Sequence, residues 1–183
     1  MEDDRIRARW RPRIRTRLCG GGEGHVYEGG VRVPFTISGP GIQAGAVSQV
    51  PVCGVDLLPT ITDFAGKQLK HANLDGGSLK SLLLGESEIV NRQNDFLVFH
   101  QAVTRHAESA IRSGDYKLVK MWAEDTIELF DLSKDLGELQ DLSQKMPEKA
   151  EELRKKLEIY LDAVNATTEK MGTKAEIYKL WKD

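Results

Sequence analysis

The chain has 183 residues, 40% apolar and 30% charged, with a net charge of −2. That is enough chain to bury one core, and no apolar run approaches the ~20 residues of a membrane helix. No apolar h-region follows the N-terminus, so neither a membrane partner nor a visible signal peptide is expected, and localisation stays unassigned.

The first nineteen residues form an Arg-rich arm, with Arg at every odd position from Arg5 to Arg17. Against Glu2, Asp3 and Asp4 this leaves the arm four net positive, so the rest carries six net negative charges. As a strand the arm would stack like charges on one face, and Pro12 interrupts either regular structure. A disordered tail or an out-of-frame start explains it, and so does an arm binding a polyanion such as a sulfated glycan. The acidic body offers no field for nucleic acid, which is not expected as a partner.

From Gly20 the chain reads as folded. Gly20, Gly21, Gly22 and Gly24 make a loop of the kind whose amides can cradle an anion. Residues 33–38 are β-rich and end at Gly39-Pro40-Gly41, a strand followed by a turn. Asp56 is placed to cap a helix over 57–66, with Leu58, Ile61 and Ala65 on its apolar face and Gly66 as its stop. A second short helix is expected from Ser78 to Gly85.

The period changes after Asp95. Phe96–His100, Ala110–Arg112, Tyr116–Lys120 and Ile127–Asp131 predict an antiparallel sheet of three or four strands, joined by the turn Ser113-Gly114-Asp115. Alternation in the last two strands predicts one wet face. Pro147 opens a long helix in which Ala150, Leu153, Leu157, Tyr160, Leu161 and Val164 make an apolar stripe over the sheet. This subdomain is read as 95–166, with 167–183 as a tail. Cys19 and Cys53 match no zinc or redox spacing and are read as unpaired thiols.

Five segments together carry a family resemblance. Gly22-Glu23-Gly24-His25-Val26-Tyr27-Glu28-Gly29-Gly30-Val31-Arg32-Val33-Pro34 resembles the sulfatase Gly-Lys-Gly loop followed by Tyr-Glu-Gly-Gly-x-Arg-x-Pro. Val55-Asp56-Leu57-Leu58-Pro59-Thr60 resembles the Asp-Leu-x-Pro-Thr helix start. Leu74-Asp75-Gly76 with Leu82-Leu83, Arg112 to Leu118, and Glu128 to Leu142 follow in the family's order. From about Gly20 to Val164 the chain thus resembles the C-terminal portion of a sulfatase of arylsulfatase or glycan-sulfatase type.

The resemblance implies an α/β to α+β fragment of an alkaline-phosphatase-like fold, with the segment 20–94 as the C-terminal edge of a larger domain, ending in a small antiparallel sheet packed against a long helix. It implies hydrolysis of sulfate esters by the complete enzyme, with formylglycine as nucleophile and a calcium ion. Neither Cys19 nor Cys53 is followed by the Pro/Ala and Arg of the nucleophile motif, and no Asp/Asn cluster precedes Gly20. No catalytic residue, metal ligand or cofactor is therefore assigned to this chain, and assembly with a missing N-terminal catalytic half is expected. Glu23 stands at the family's sulfate-contacting Lys position, a reversal of charge. His25 and His100 are the remaining candidates for substrate contact. A non-catalytic remnant, or a module binding sulfated glycans through the arm, is the alternative.

Overall fold

A computed structural model of the chain describes residues 25–67, 74–102 and 107–168, and the backbone of 7–8. These fall into two compact units. Pro34–Asp95 with the strand β1 (Arg7–Ala8) makes one, and 25–33 with the chain from Phe96 onward makes the other.

In the first unit β1 pairs antiparallel with β2 (Ile37–Ser38). The sequence predicts a longer strand over 33–38; only its last two residues form one. A 3-10 turn, Gly54–Asp56, leads into helix α2 (Leu57–Phe64), and α3 (Lys80–Leu83) follows. Gly66 and Gly85 stop α2 and α3 with φ of 65° and 73°, a conformation that suits glycine.

Two expectations for α2 fail. Its inner face carries buried Thr60, while Leu58 and Ile61 are 54% and 56% exposed. Apolar spacing alone could not tell which side meets this unit, because Thr60 is held inward by polar bonds: its hydroxyl donates to the Asp56 carbonyl and accepts from the Leu79 amide. Asp56 does not cap α2 with its side chain either. Its carboxylate accepts from the Cys53 amide, bracing the 3-10 turn before the helix.

The second unit is a four-stranded antiparallel sheet in the order β3 (Phe96–Gln101), β4 (Glu108–Ser113), β5 (Tyr116–Met121), β6 (Thr126–Asp131). Each strand pairs in register with the next, as short hairpin connections require. Helix α4 (Pro147–Ala163) lies on one face, burying Ala150, Leu153, Leu157 and Leu161 against Ile111, Leu118 and Leu129. Pro147 sits in its first turn, where a missing N–H costs nothing. Val164, expected to extend the stripe, is exposed beyond the helix end.

The other face is not wet. Val26 joins Ala110, Val119, Phe130 and Leu132 in a second core, with Tyr27 beside them. Helix α1 (Glu28–Val31) belongs to the same segment. Alternation in β5 does not mark a wet face: Lys117 and Lys120 lie on opposite faces of the strand and both are buried.

Candidate functional site

The face opposite α4 gathers most of this unit's buried charge. Successive residues of a strand point to opposite faces, so Glu108, Ala110 and Arg112 of β4 share a face with Lys117 of β5. Into this surface Glu28 descends from α1. Lys117 Nζ lies 2.9 Å from Glu28 Oε1, a hydrogen bond. It lies 2.8 Å from Glu138 Oε1 as an ion pair without directed hydrogen-bond geometry. Arg32 and Arg112 approach the second Glu28 oxygen at 3.5 and 3.8 Å. The Glu28 amide donates to Glu138 Oε2 at 2.6 Å. Burial pushes the Glu138 carboxyl up from its ordinary value, against the opposing pull of Lys117. The arrangement is a lock: it fixes 25–33 to the sheet.

His25 stands at the start of the locked segment. Its Nδ1 is 2.9 Å from Glu108 Oε1, and the Val26 amide reaches Glu108 Oε2 at 3.4 Å. The carboxylate is 7% exposed and the imidazole 49% exposed. Tyr27 next to it donates its hydroxyl to Glu128; burial first, then this acceptor, pushes the phenol well above its usual range.

His100 is on the opposite face. It pairs across β3 and β4 with Ser109, whose neighbour Glu108 faces the other way. His100 Nδ1 is 2.8 Å from Ser109 Oγ, and Nε2 is 3.0 Å from the Thr167 carbonyl. Trp122 Nε1 donates to the same Ser109 oxygen at 2.7 Å. The network is consistent with Nε2 carrying the proton and Ser109 donating to Nδ1. The two candidate histidines are therefore not brought together. Glu23 and most of the Arg-rich arm lie outside the described residues.

The first unit has its own buried ion pair. Arg92 Nε and Nη2 donate to the two oxygens of Asp56 at 2.8 and 2.7 Å, a bidentate contact. Gly77 N donates to Asp56 Oδ1 at 3.0 Å. Burial alone would raise the Asp56 carboxyl; the Arg92, Gly77 and Cys53 donors outweigh it and hold it below its ordinary value. A Cβ on Gly76 would meet the Val55 carbonyl oxygen at 2.1 Å, so this position needs glycine for space.

Glu108 was not legible in the sequence, since Ala110 is where the apolar strand pattern begins. Its signal was parity: it shares a face with Ala110 and Arg112. Among the described residues no group of three or more His, Cys, Asp or Glu side chains could hold a metal ion. Cys53 opens the 3-10 turn and is a free thiol. The described residues do not fit a calcium cage or a formylglycine site. Among the described residues no helix is long and apolar enough to cross a membrane.

A helix-backed antiparallel sheet with a Tyr-Glu-Gly-Gly segment locked on its far face defines the C-terminal part of a sulfatase. The chain belongs to the family described as N-sulphoglucosamine sulphohydrolase, C-terminal, which matches residues 23–180. It is 34% identical over 165 residues to a sulfatase of Formosa agariphila, covering 80% of this chain and 30% of that protein. It is 30% identical over 166 residues to arylsulfatase K of Xenopus laevis, covering 86% and 31%. A structure solved with its substrate D-glucosamine-2-N,6-O-disulfate matches with a TM-score of 0.63 at 27% identity, covering 76% of this chain and 30% of that one. The chain thus spans under a third of the length of these relatives.

Proposed function

We propose that this chain is the non-catalytic C-terminal part of a sulfuric ester hydrolase of arylsulfatase or glycan-sulfatase type. Its work is to build a rigid support that holds the segment from His25 to Val33 for a catalytic portion lying N-terminal to it. The observation that carries this reading is the buried Lys117–Glu28–Glu138 lock, which spends three charged side chains on fixing one short segment. A site gains from groups set on rigid elements with a supporting shell of bonds. Formylglycine and calcium, expected of an intact family member, belong to the portion this chain does not contain. They would supply the nucleophile and the charge neutralisation that attack on a sulfate ester requires.

Two preparations test the reading with a chromogenic aryl sulfate and calcium. The chain alone is expected to give no turnover. A single polypeptide joining it to the N-terminal portion of a sulfatase is expected to give turnover that falls when Lys117 is replaced by Met. Turnover by the chain alone above that of a mock preparation, whether or not it survives the Cys19→Ala, Cys53→Ala double substitution, would sink the proposal.

A further inference from the structure

Most buried charges in the second unit are consumed internally. Lys117 is enclosed between Glu28 and Glu138. Lys120 is shared by Asp125, Glu158 and the Trp122 ring. His100 has both ring nitrogens engaged. The His25–Glu108 pair differs, because a buried carboxylate is joined there to a half-exposed imidazole.

A buried carboxylate must be hydrogen-bonded or pay heavily in desolvation. Glu108 receives only two contacts among the described residues, from His25 Nδ1 and, at 3.4 Å, from the Val26 amide. An ionised carboxylate is an acceptor only, so Nδ1 must carry the proton. This fixes the tautomer and the plane of the ring, the part a carboxylate plays behind a working imidazole elsewhere in protein chemistry. Nε2, on the far side of the ring, has no partner among the described residues. It accepts from a hydroxyl when the ring is neutral and donates to an anionic oxygen when the ring is charged.

We infer that His25 is a contact residue for a sulfate monoester, with Nε2 as the contacting atom and Glu108 as the positioning residue. The inference rests on the sulfatase reading above, which supplies the ligand class. A sulfate monoester offers anionic oxygens to a protonated Nε2, and charge-assisted bonds of this kind are stronger than neutral ones. It also retains a sugar or aryl body whose hydroxyls suit a neutral Nε2. Because the ring orientation is set before binding, the contact loses little side-chain entropy. The charge of Glu108 offsets that of the imidazolium, so one such contact on the chain alone is weak.

The test uses the whole chain with isotope-labelled histidine, read by NMR. In the free protein the neutral His25 ring is expected to show its proton on Nδ1. Inorganic sulfate, glucosamine 6-sulfate and unsulfated glucosamine are then titrated separately. The His25 ring signals are expected to shift saturably with the two sulfated probes and not with glucosamine, while the His100 signals stay still. Glu108→Leu, which removes the acceptor that faces Nδ1, should abolish the Nδ1–H preference and weaken the response several-fold. Should that variant fold poorly, His25→Gln, at a half-exposed position, should remove the shifts that sulfate induces at the Val26 amide.

An unmoved His25 ring with both sulfated probes overturns the inference. So does an equal response to glucosamine, or an Nε2-protonated neutral ring in the wild-type chain. If the joined polypeptide hydrolyses aryl sulfate while His25 stays silent, this inference alone falls. If His25 responds and the joined polypeptide is inert, the contact stands and the reading of function falls.

Discussion

Lys117 Nζ sits 2.9 Å from Glu28 Oε1, joining residues 89 positions apart in the chain, and neither side chain is open to water. Removing the lysine would strand Glu28 and Glu138 as buried acids. Breaking one partner of a buried pair costs about 3–5 kcal/mol. Lys117→Met keeps the side-chain bulk and should lower stability by about that amount at pH 7, measured by urea unfolding. The Glu138 carboxyl is already raised by burial, and losing Lys117 raises it further. A carboxyl raised in the folded state favours folding below its unfolded value and loses that contribution as pH rises through its folded value. The variant should therefore recover part of its deficit below about pH 4, near the ordinary Glu value. A deficit that is the same at pH 7 and pH 4 would show that packing, not charge, is what the lysine supplies.

The Asp56–Arg92 pair makes the same kind of prediction with the opposite sign. The Asp56 carboxyl is held low, with the Arg92, Gly77 and Cys53 donors outweighing burial. A depressed carboxyl contributes stability above its unfolded value, ~3.9, which is lost as pH falls through the folded value. Arg92→Ala should cost about 3–5 kcal/mol at neutral pH by leaving Asp56 buried without its guanidinium. It should also flatten the pH dependence below pH ~4. The Gly77 amide, which donates to Asp56, should exchange with solvent faster in the variant. Unchanged exchange there would mean that the loop holds without the pair.

Substitutions in α4 separate its two faces. Leu157 is fully buried in the core with Ile111, Leu118 and Leu129, whereas Ile159 is 70% exposed. Leu157→Asp places an unpaired charge in that core and should unfold the unit. Ile159→Asp, two residues away, should change stability by no more than about 0.5 kcal/mol. Circular dichroism melts of both variants check this pair. Comparable losses from the two would mean that α4 does not pack as described.

These contrasts show what the residues could disclose. The strands and α4 were legible because their period is set by burial on one face: Leu153, Leu157 and Leu161 recur at four, and Leu118 and Leu129 sit at the expected parity. The covering of the other face was not legible. It depends on Glu28 meeting Lys117 and His25 meeting Glu108, pairs 89 and 83 residues apart. Each lysine or glutamate, taken singly, reads as a solvent residue. Leu58 and Ile61 erred in the reverse direction, since an apolar stripe announces an amphipathic helix without saying which neighbour meets it.

That long-range covering gives the last prediction. Residues 25–33 supply Val26 to the core of Ala110, Val119 and Phe130, and Glu28 to Lys117. A chain cut to 96–183 keeps the sheet and α4 but loses this cover. Exposing the Val26 contacts forfeits about 1.5–3 kcal/mol, and removing Glu28 leaves Lys117 with Glu138 as its remaining carboxylate, a cost of up to about 3–5 kcal/mol. Against the 5–15 kcal/mol typical of a small domain, the sum is large enough to leave the truncated chain marginal or unfolded. It should bind a hydrophobic dye, and its β5 and β6 amides should exchange much faster than in the whole chain. Adding residues 25–33 as a separate peptide should restore protection at Lys117 and Val119, and a peptide carrying Glu28→Ala should do so far less well. A 96–183 chain as protected as the whole protein would show that the sheet and α4 complete their own core, and that the segment from His25 to Val33 is merely laid on it.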